Sequence, residues 1–211
     1  MKYSAKNMTY ITGVLVIAGL LAAGRASGAD SSISSKGSSF IKEASEGNQA
    51  EIATAQLAQE KSQNPEVKNL AQMIQNDHQQ AQAKLQTIAQ AHGVTLEEKP
   101  TWSQRRAQAK LEKLNGADFD QQYTKDMLED HVTDIKKFEK ASQDIQDADV
   151  KQYAQDTLPH LRDHLRQSET AAKAVGVDQS TISSITKGLP EGVGGAGDVQ
   201  EKGKGAVRQQ P

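Results

Sequence analysis

The chain has 211 residues, no cysteine, a formal charge of −2 and 4% aromatic residues. The lack of cysteine excludes a disulfide framework and a lipid-modified lipoprotein cysteine. Charges of both signs are scattered along the chain rather than gathered in a basic stripe, so nucleic acid is not an expected partner.

Lys2 and Lys6 precede the apolar run ITGVLVIAGLLAAG (Ile11 to Gly24), and the small residues of RASGAD follow it. A basic stretch, an apolar core and a small-residue cleavage zone describe a secretory signal peptide over residues 1–29. The run is shorter than the ~18 apolar residues that a spanning helix needs, so cleavage leaves no stable membrane span, and the alternative is an uncleaved anchor. The expected location is periplasmic or secreted. Lys2, Lys6 and Arg25 leave with the leader, so 22 basic residues face 27 acidic ones, a balance of about −5. Residues 30–37 read as a flexible lead-in.

From residue 38 to 176, Ala, Gln, Lys, Glu and Leu dominate, and helix propensity agrees with the apolar periodicity. The pattern predicts an all-α domain of four long helices. The first starts after Ser38 or Ser39 and runs to about Lys61. The second opens at Asn64-Pro65-Glu66, with a capping side chain, a proline at the first helical position and an acid at the positive dipole end, and it stops at Gly93. Pro100 and a short helical segment around Trp102 to Leu114 follow, with Trp102 expected to anchor that segment on the domain. The third long helix follows Asp118, whose partner Gln121 has capping-box spacing, and reaches about Ile145. The fourth starts near Asp149, contains Pro159 as a potential bend and stops at Gly176. Two antiparallel hairpins joined by a long crossover containing a short helix is the connectivity of a ferritin-like four-helix bundle. EVKNLAQ (66–72) and DVKQYAQ (149–155) echo each other, as do Gly93-Val94 and Gly176-Val177. Residues 177–211 are rich in Gly, Ser and charge and read as a disordered tail.

Three of the five histidines follow an aspartate, at Asp77-His78, Asp130-His131 and Asp163-His164. A helix turns about 100° per residue, and counting on that basis puts the histidines inward and leaves the aspartates largely incidental, with Asp77 at the margin of its stripe. His78 falls in the stripe Val67, Leu70, Ala71, Ile74, Ala81, Leu85. His131 lies between Met127 and Ile135, and His164 lies within the stripe Leu158, Leu161, Leu165. Glu51 is close to the line Ile41, Ala44, Ile52, Ala55. Depth agrees as well: Glu51 stands 13 residues before Asn64 and His78 stands 14 after it, while His131 is 16 before Asp147 and His164 is 16 after Ala148. Glu51, His78, His131 and His164 are thus candidate ligands for one transition-metal ion, with zinc, copper, nickel and iron all compatible. The alternative is a metal-free cluster, with Glu51 accepting from one histidine and the others bonded to Tyr123, Thr157 or water. His92, beside Gly93 at a helix end, reads as a dipole partner.

The segments EGNQAEI, VKNLAQMIQNDH, FDQQYTKDMLEDH and LPHLRDHL resemble the exported bacterial ferritin-like family catalogued as domain of unknown function four-one-four-two. The resemblance implies a ferritin-like bundle in an exported protein and supplies no activity. A di-iron bundle would need Glu-x-x-His pairs, yet Gln75 and Leu161 stand three residues before His78 and His164, which argues against ferroxidase chemistry and dense iron storage. No nucleophile triad, phosphate loop or zinc-hydrolase spacing is present. The reading is therefore a non-enzymatic or weakly active protein of envelope metal handling or stress protection. The alternative is a structural or interaction protein of the envelope, and either could act as a homo-oligomer or with an envelope protein partner.

Overall fold

The structure, a computed structural model, describes residues 32–97 and 99–189. The expected signal peptide and the last part of the expected tail, residues 190–211, lie outside the described residues. Within them the chain is all-helical, with six α-helices and no strand: α1 (Ser35–Lys61), α2 (Pro65–Ala91), α3 (Trp102–Leu111), α4 (Gly116–Asp144), α5 (Ala148–Ala174) and α6 (Gln179–Thr186). None of these helices is long and apolar enough to cross a membrane.

Side chains and glycines set the helix ends. Asn64 Oδ1 accepts from the N–H groups of Glu66 (2.9 Å) and Val67 (3.3 Å), with Pro65 at the first helical position. Gly93 and Gly176 adopt left-handed φ values of 64° and 84°. Each is followed by a valine N–H that reaches back to close the helix end, Val94 to Ala89 O at 2.8 Å and Val177 to Ala172 O at 2.9 Å. The sequence echo at these two sites is thus an echo of backbone geometry.

Three boundaries differ from the sequence-based expectation. α1 begins at Ser35, inside the expected lead-in, because Ser34 is fixed from outside the helix. Its N–H donates to Asp147 Oδ1 at 2.9 Å and its hydroxyl to Asp147 Oδ2, while that hydroxyl accepts from Gly37 N–H at 3.0 Å. α4 starts at Gly116 with no side-chain cap, and Gln121 donates instead to Val175 O at 3.0 Å. The expected tail from residue 177 contains α6, capped by Asp178 and anchored by the buried Ile182. α5 stays helical through Pro159.

α1 packs along α2, α4 along α5, and α2 against α5. All four contribute to two apolar clusters. One gathers Phe40, Ile41, Leu85, Ile135, Phe138, Tyr153 and Leu161, and the other gathers Ala55, Ala58, Leu70, Ile74, Phe119, Tyr123 and Met127. Along α1 and α2 one cluster gives way to the other at a polar interval containing Asn48 and Glu51, or His78, whereas His131 and His164 lie among first-cluster residues of α4 and α5. On α1 and α2 a polar interval is therefore set between two apolar ones.

Candidate metal centre

The expected depth match holds. Glu51, His78, His131 and His164 come from α1, α2, α4 and α5, and none is more than 4% exposed. Glu51 Oε2 lies 3.2 Å from His78 Nε2 and 3.3 Å from His131 Nε2. His131 Nε2 lies 3.1 Å from His164 Nδ1. One ring nitrogen from each of the three histidines sits within 4.8 Å of those of the other two.

The protons can be placed from the outer partners. Asn48 Nδ2 donates to Gln82 Oε1 (3.2 Å) and to Tyr153 OH (3.3 Å), which turns Asn48 Oδ1 toward His78 Nδ1 at 3.0 Å. An amide oxygen only accepts, so His78 carries its proton on Nδ1. His131 Nδ1 faces the carbonyl of Met127 at 2.8 Å and must donate as well. His164 Nε2 faces Asp77 Oδ2 at 2.9 Å. Every outer nitrogen is thus an N–H spent on an acceptor. The inner atoms, His78 Nε2, His131 Nε2, His164 Nδ1 and Glu51 Oε2, then present lone pairs to one another with no donor between neutral rings. Glu51 Oε2 and His78 Nε2 have no hydrogen-bond partner, and the buried Tyr123 hydroxyl also lacks one.

Burial governs the electrostatics. It holds His78 well below the usual imidazole range and His131 at about 3, with neighbouring imidazoles adding to both effects. Burial, then the carboxylates of Asp134 and Asp130, push Glu51 well above the usual carboxylate range. The hydrogen bond from His164 holds Asp77 below that range despite its partial burial. Neutral imidazoles are the form that binds a metal.

The centre is approached from two sides. A cavity of about 40 Å³ between α2 and α5 is bounded by Asp77, His78, His160 and His164. Clefts of about 260 and 340 Å³ beside α3 are bounded by Glu51 and Asp130, with Asp126 and Asp134 lining one each.

Several expectations need correction. Asp77 is not incidental, since it orients His164 and lies 3.5 Å from His160 Nδ1. Tyr123 and Thr157 do not serve the histidines; Thr157 donates to Tyr153 O at 2.8 Å. His92 stands at the C-cap of α2, as expected, and additionally bonds Asp149 Oδ2 at 2.8 Å, tying the end of α2 to the start of α5. Trp102 does not anchor α3, being 66% exposed. Asn48 was missed, although its place three residues before Glu51 on an inward face marks a polar side chain needing a partner.

A family model described as a domain of unknown function, DUF4142, matches residues 22–171. No curated protein and no solved structure matches the chain.

Proposed function

The chain belongs to the DUF4142 family, a domain of unknown function, and from that premise we propose that its buried centre binds one transition-metal ion. The donors are Glu51 Oε2, His78 Nε2, His131 Nε2 and His164 Nδ1. The observation that carries this reading is the convergence of three imidazole lone pairs, whose N–H groups are drawn to outer acceptors, on the Glu51 carboxyl. The four donor atoms repel one another in a dry interior unless a cation or added protons lie between them. Three of their six separations, 3.1, 3.2 and 3.3 Å, suit one ion, and the three histidine nitrogens all lie within 4.8 Å of one another. Tetrahedral ligands at bonds of ~2.0–2.1 Å stand ~3.3 Å apart.

Three imidazoles and a carboxylate accept zinc, copper, nickel or iron. Asn48, Met127 O and Asp77 hold the rings as the outer partners of ligating histidines do. The carboxylates beside α3 favour the approach of a cation from that side. We read the fold as a ferritin-like four-helix bundle. The three-residue connections 62–64 and 145–147 support two hairpins, and the position of α3 within residues 92–115 supports a crossover. With the leader-like residues 1–29, the reading extends to an exported protein of envelope metal handling or stress protection. The helices lack the Glu-x-x-His pairs of a di-iron centre, so dense iron storage is not part of it.

One observation favours a second reading, a metal-free structural or interaction protein of the envelope. The raised Glu51 carboxyl can retain a proton and donate it to His78 or His131. That proton still leaves His131 Nε2 against His164 Nδ1, so a second must enter the cluster. Metal analysis of tag-free protein separates the two readings. The metal reading expects about one equivalent after reloading and dialysis, and less than about a tenth of an equivalent of any of the four metals would end it.

A further inference from the structure

The outward face of α3 is a second functional surface, and we propose that it docks the protein on a negatively charged lipid surface. α3 turns Gln104, Gln108 and Leu111 inward, of which only Leu111 is fully buried. One hundred degrees per residue then puts Trp102, Arg106, Ala109 and Lys110 on the opposite side, Lys113 follows in the turn after the helix, and all five are exposed. Trp102 is the one large apolar side chain left exposed among the described residues, at 66%. The Arg106 guanidinium lies over its indole, 5.3 Å from the ring centroid. Arg106, Lys110 and Lys113 have no carboxylate within ion-pair distance among the described residues.

Two arguments choose the occupant. Charge complementarity requires an anion, because Arg106 and Lys110 on α3 and Lys113 in the turn after it are exposed cations without a carboxylate partner among the described residues, in a chain whose net charge is −2. Shape then favours lipid over a folded partner. The face is a convex single helix, and the clefts beside α3 are lined by its inner and flanking residues, not by Trp102 or the three cations. An indole flanked by Arg and Lys, with no groove around it, suits the headgroup layer of a fluid bilayer, where the ring embeds and the cations meet phosphate. This inference is independent of the metal reading.

Trp102 is the only tryptophan in the chain, so its emission reports on α3 alone and not on the apolar residues 11–24. Full-length protein would be titrated with phosphatidylcholine vesicles, with and without about one third phosphatidylglycerol, including brominated acyl chains as quenchers. The expected result is a blue shift and quenching on the anionic vesicles, with binding at least ~10-fold weaker on the neutral ones and lost at high salt. The triple variant Arg106→Glu, Lys110→Glu, Lys113→Glu should weaken it at least ~10-fold while keeping its helical circular dichroism. In a sedimentation assay Trp102→Phe should still bind the vesicles and Trp102→Ala should bind several-fold less. Vesicle binding without any change in Trp102 emission would overturn the proposal, because contact would then lie elsewhere. An indole that responds to soluble polyglutamate but not to vesicles would overturn it in favour of an acidic protein partner.

Discussion

Each buried histidine spends one ring N–H outside the centre, and the acceptor it meets decides which nitrogen turns inward. Asp77 is the most informative of these acceptors because it can be removed without opening the core. Asp77→Ala should fold and lower metal affinity ~10–100-fold, read by competition with a chromophoric chelator. An unchanged affinity would mean that His164 is not held by that hydrogen bond. Acid tests burial itself. His131 is held at about 3, below its unfolded value of ~6.5, so as pH falls the unfolded chain takes up that proton first. The metal-free protein should lose stability from about pH 6.5 downward, on the order of 2 kcal/mol from this ring by pH 4.5. Glu51 has the opposite sign: its raised value means a contribution present at low pH and lost as pH rises through the folded-state value. Denaturation midpoints of wild type and His131→Gln across pH 4–8 would check this, with a flatter acid limb expected for the variant. At this scale the sequence shows which side chains face inward, because helical angle and depth follow from counting. It does not show their outer partners. Asp77 lies only 100° from His78 along α2, and its oxygen crosses to α5, a tertiary contact that counting along one helix cannot reveal.

Helix ends show the same division. The stops at Gly93 and Gly176 and the start at Asn64-Pro65 are local, written in glycine conformation and in a capping side chain, and they stand where the residues put them. The start of α1 is local only in the Ser34 cap on Gly37 N–H. SKGSSF has poor helix propensity, and it is helical because Asp147, at the head of α5, holds Ser34 in place. Asp147→Ala should therefore cost about 1–2 kcal/mol and fray the first turn of α1, measurable as a lower melting temperature and faster amide exchange at residues 37–40. Wild-type exchange there would mean that α1 starts without the tie. α6 escaped the sequence reading because one short turn-rich stretch carries a single well-buried apolar residue, Ile182, within a Gly- and Ser-rich composition. Gly93→Ala, at a φ of 64°, should cost about 1 kcal/mol, whereas an exposed glycine at ordinary φ would cost less or nothing.

Across the whole molecule, a buried polar cluster is set within the apolar interior of four helices, and that cluster is costly unless a cation or a set of protons fills it. Metal binding and folding are then coupled: an ion at about 100 times its dissociation constant should stabilise the protein by about 2.7 kcal/mol. The all-helical class was legible because strand signals are nearly absent and four amphipathic periods are long. The convergence of the four side chains was legible because hairpin connections are short, so distance from the turn sets height. X-ray absorption on protein loaded with zinc or copper would test the central claim most directly, since outer scattering from imidazole carbons counts histidine ligands. The account predicts one bound ion with three imidazoles and one oxygen donor from the protein. An ion bound through one imidazole or none, or protein that takes up no ion at all, would contradict it.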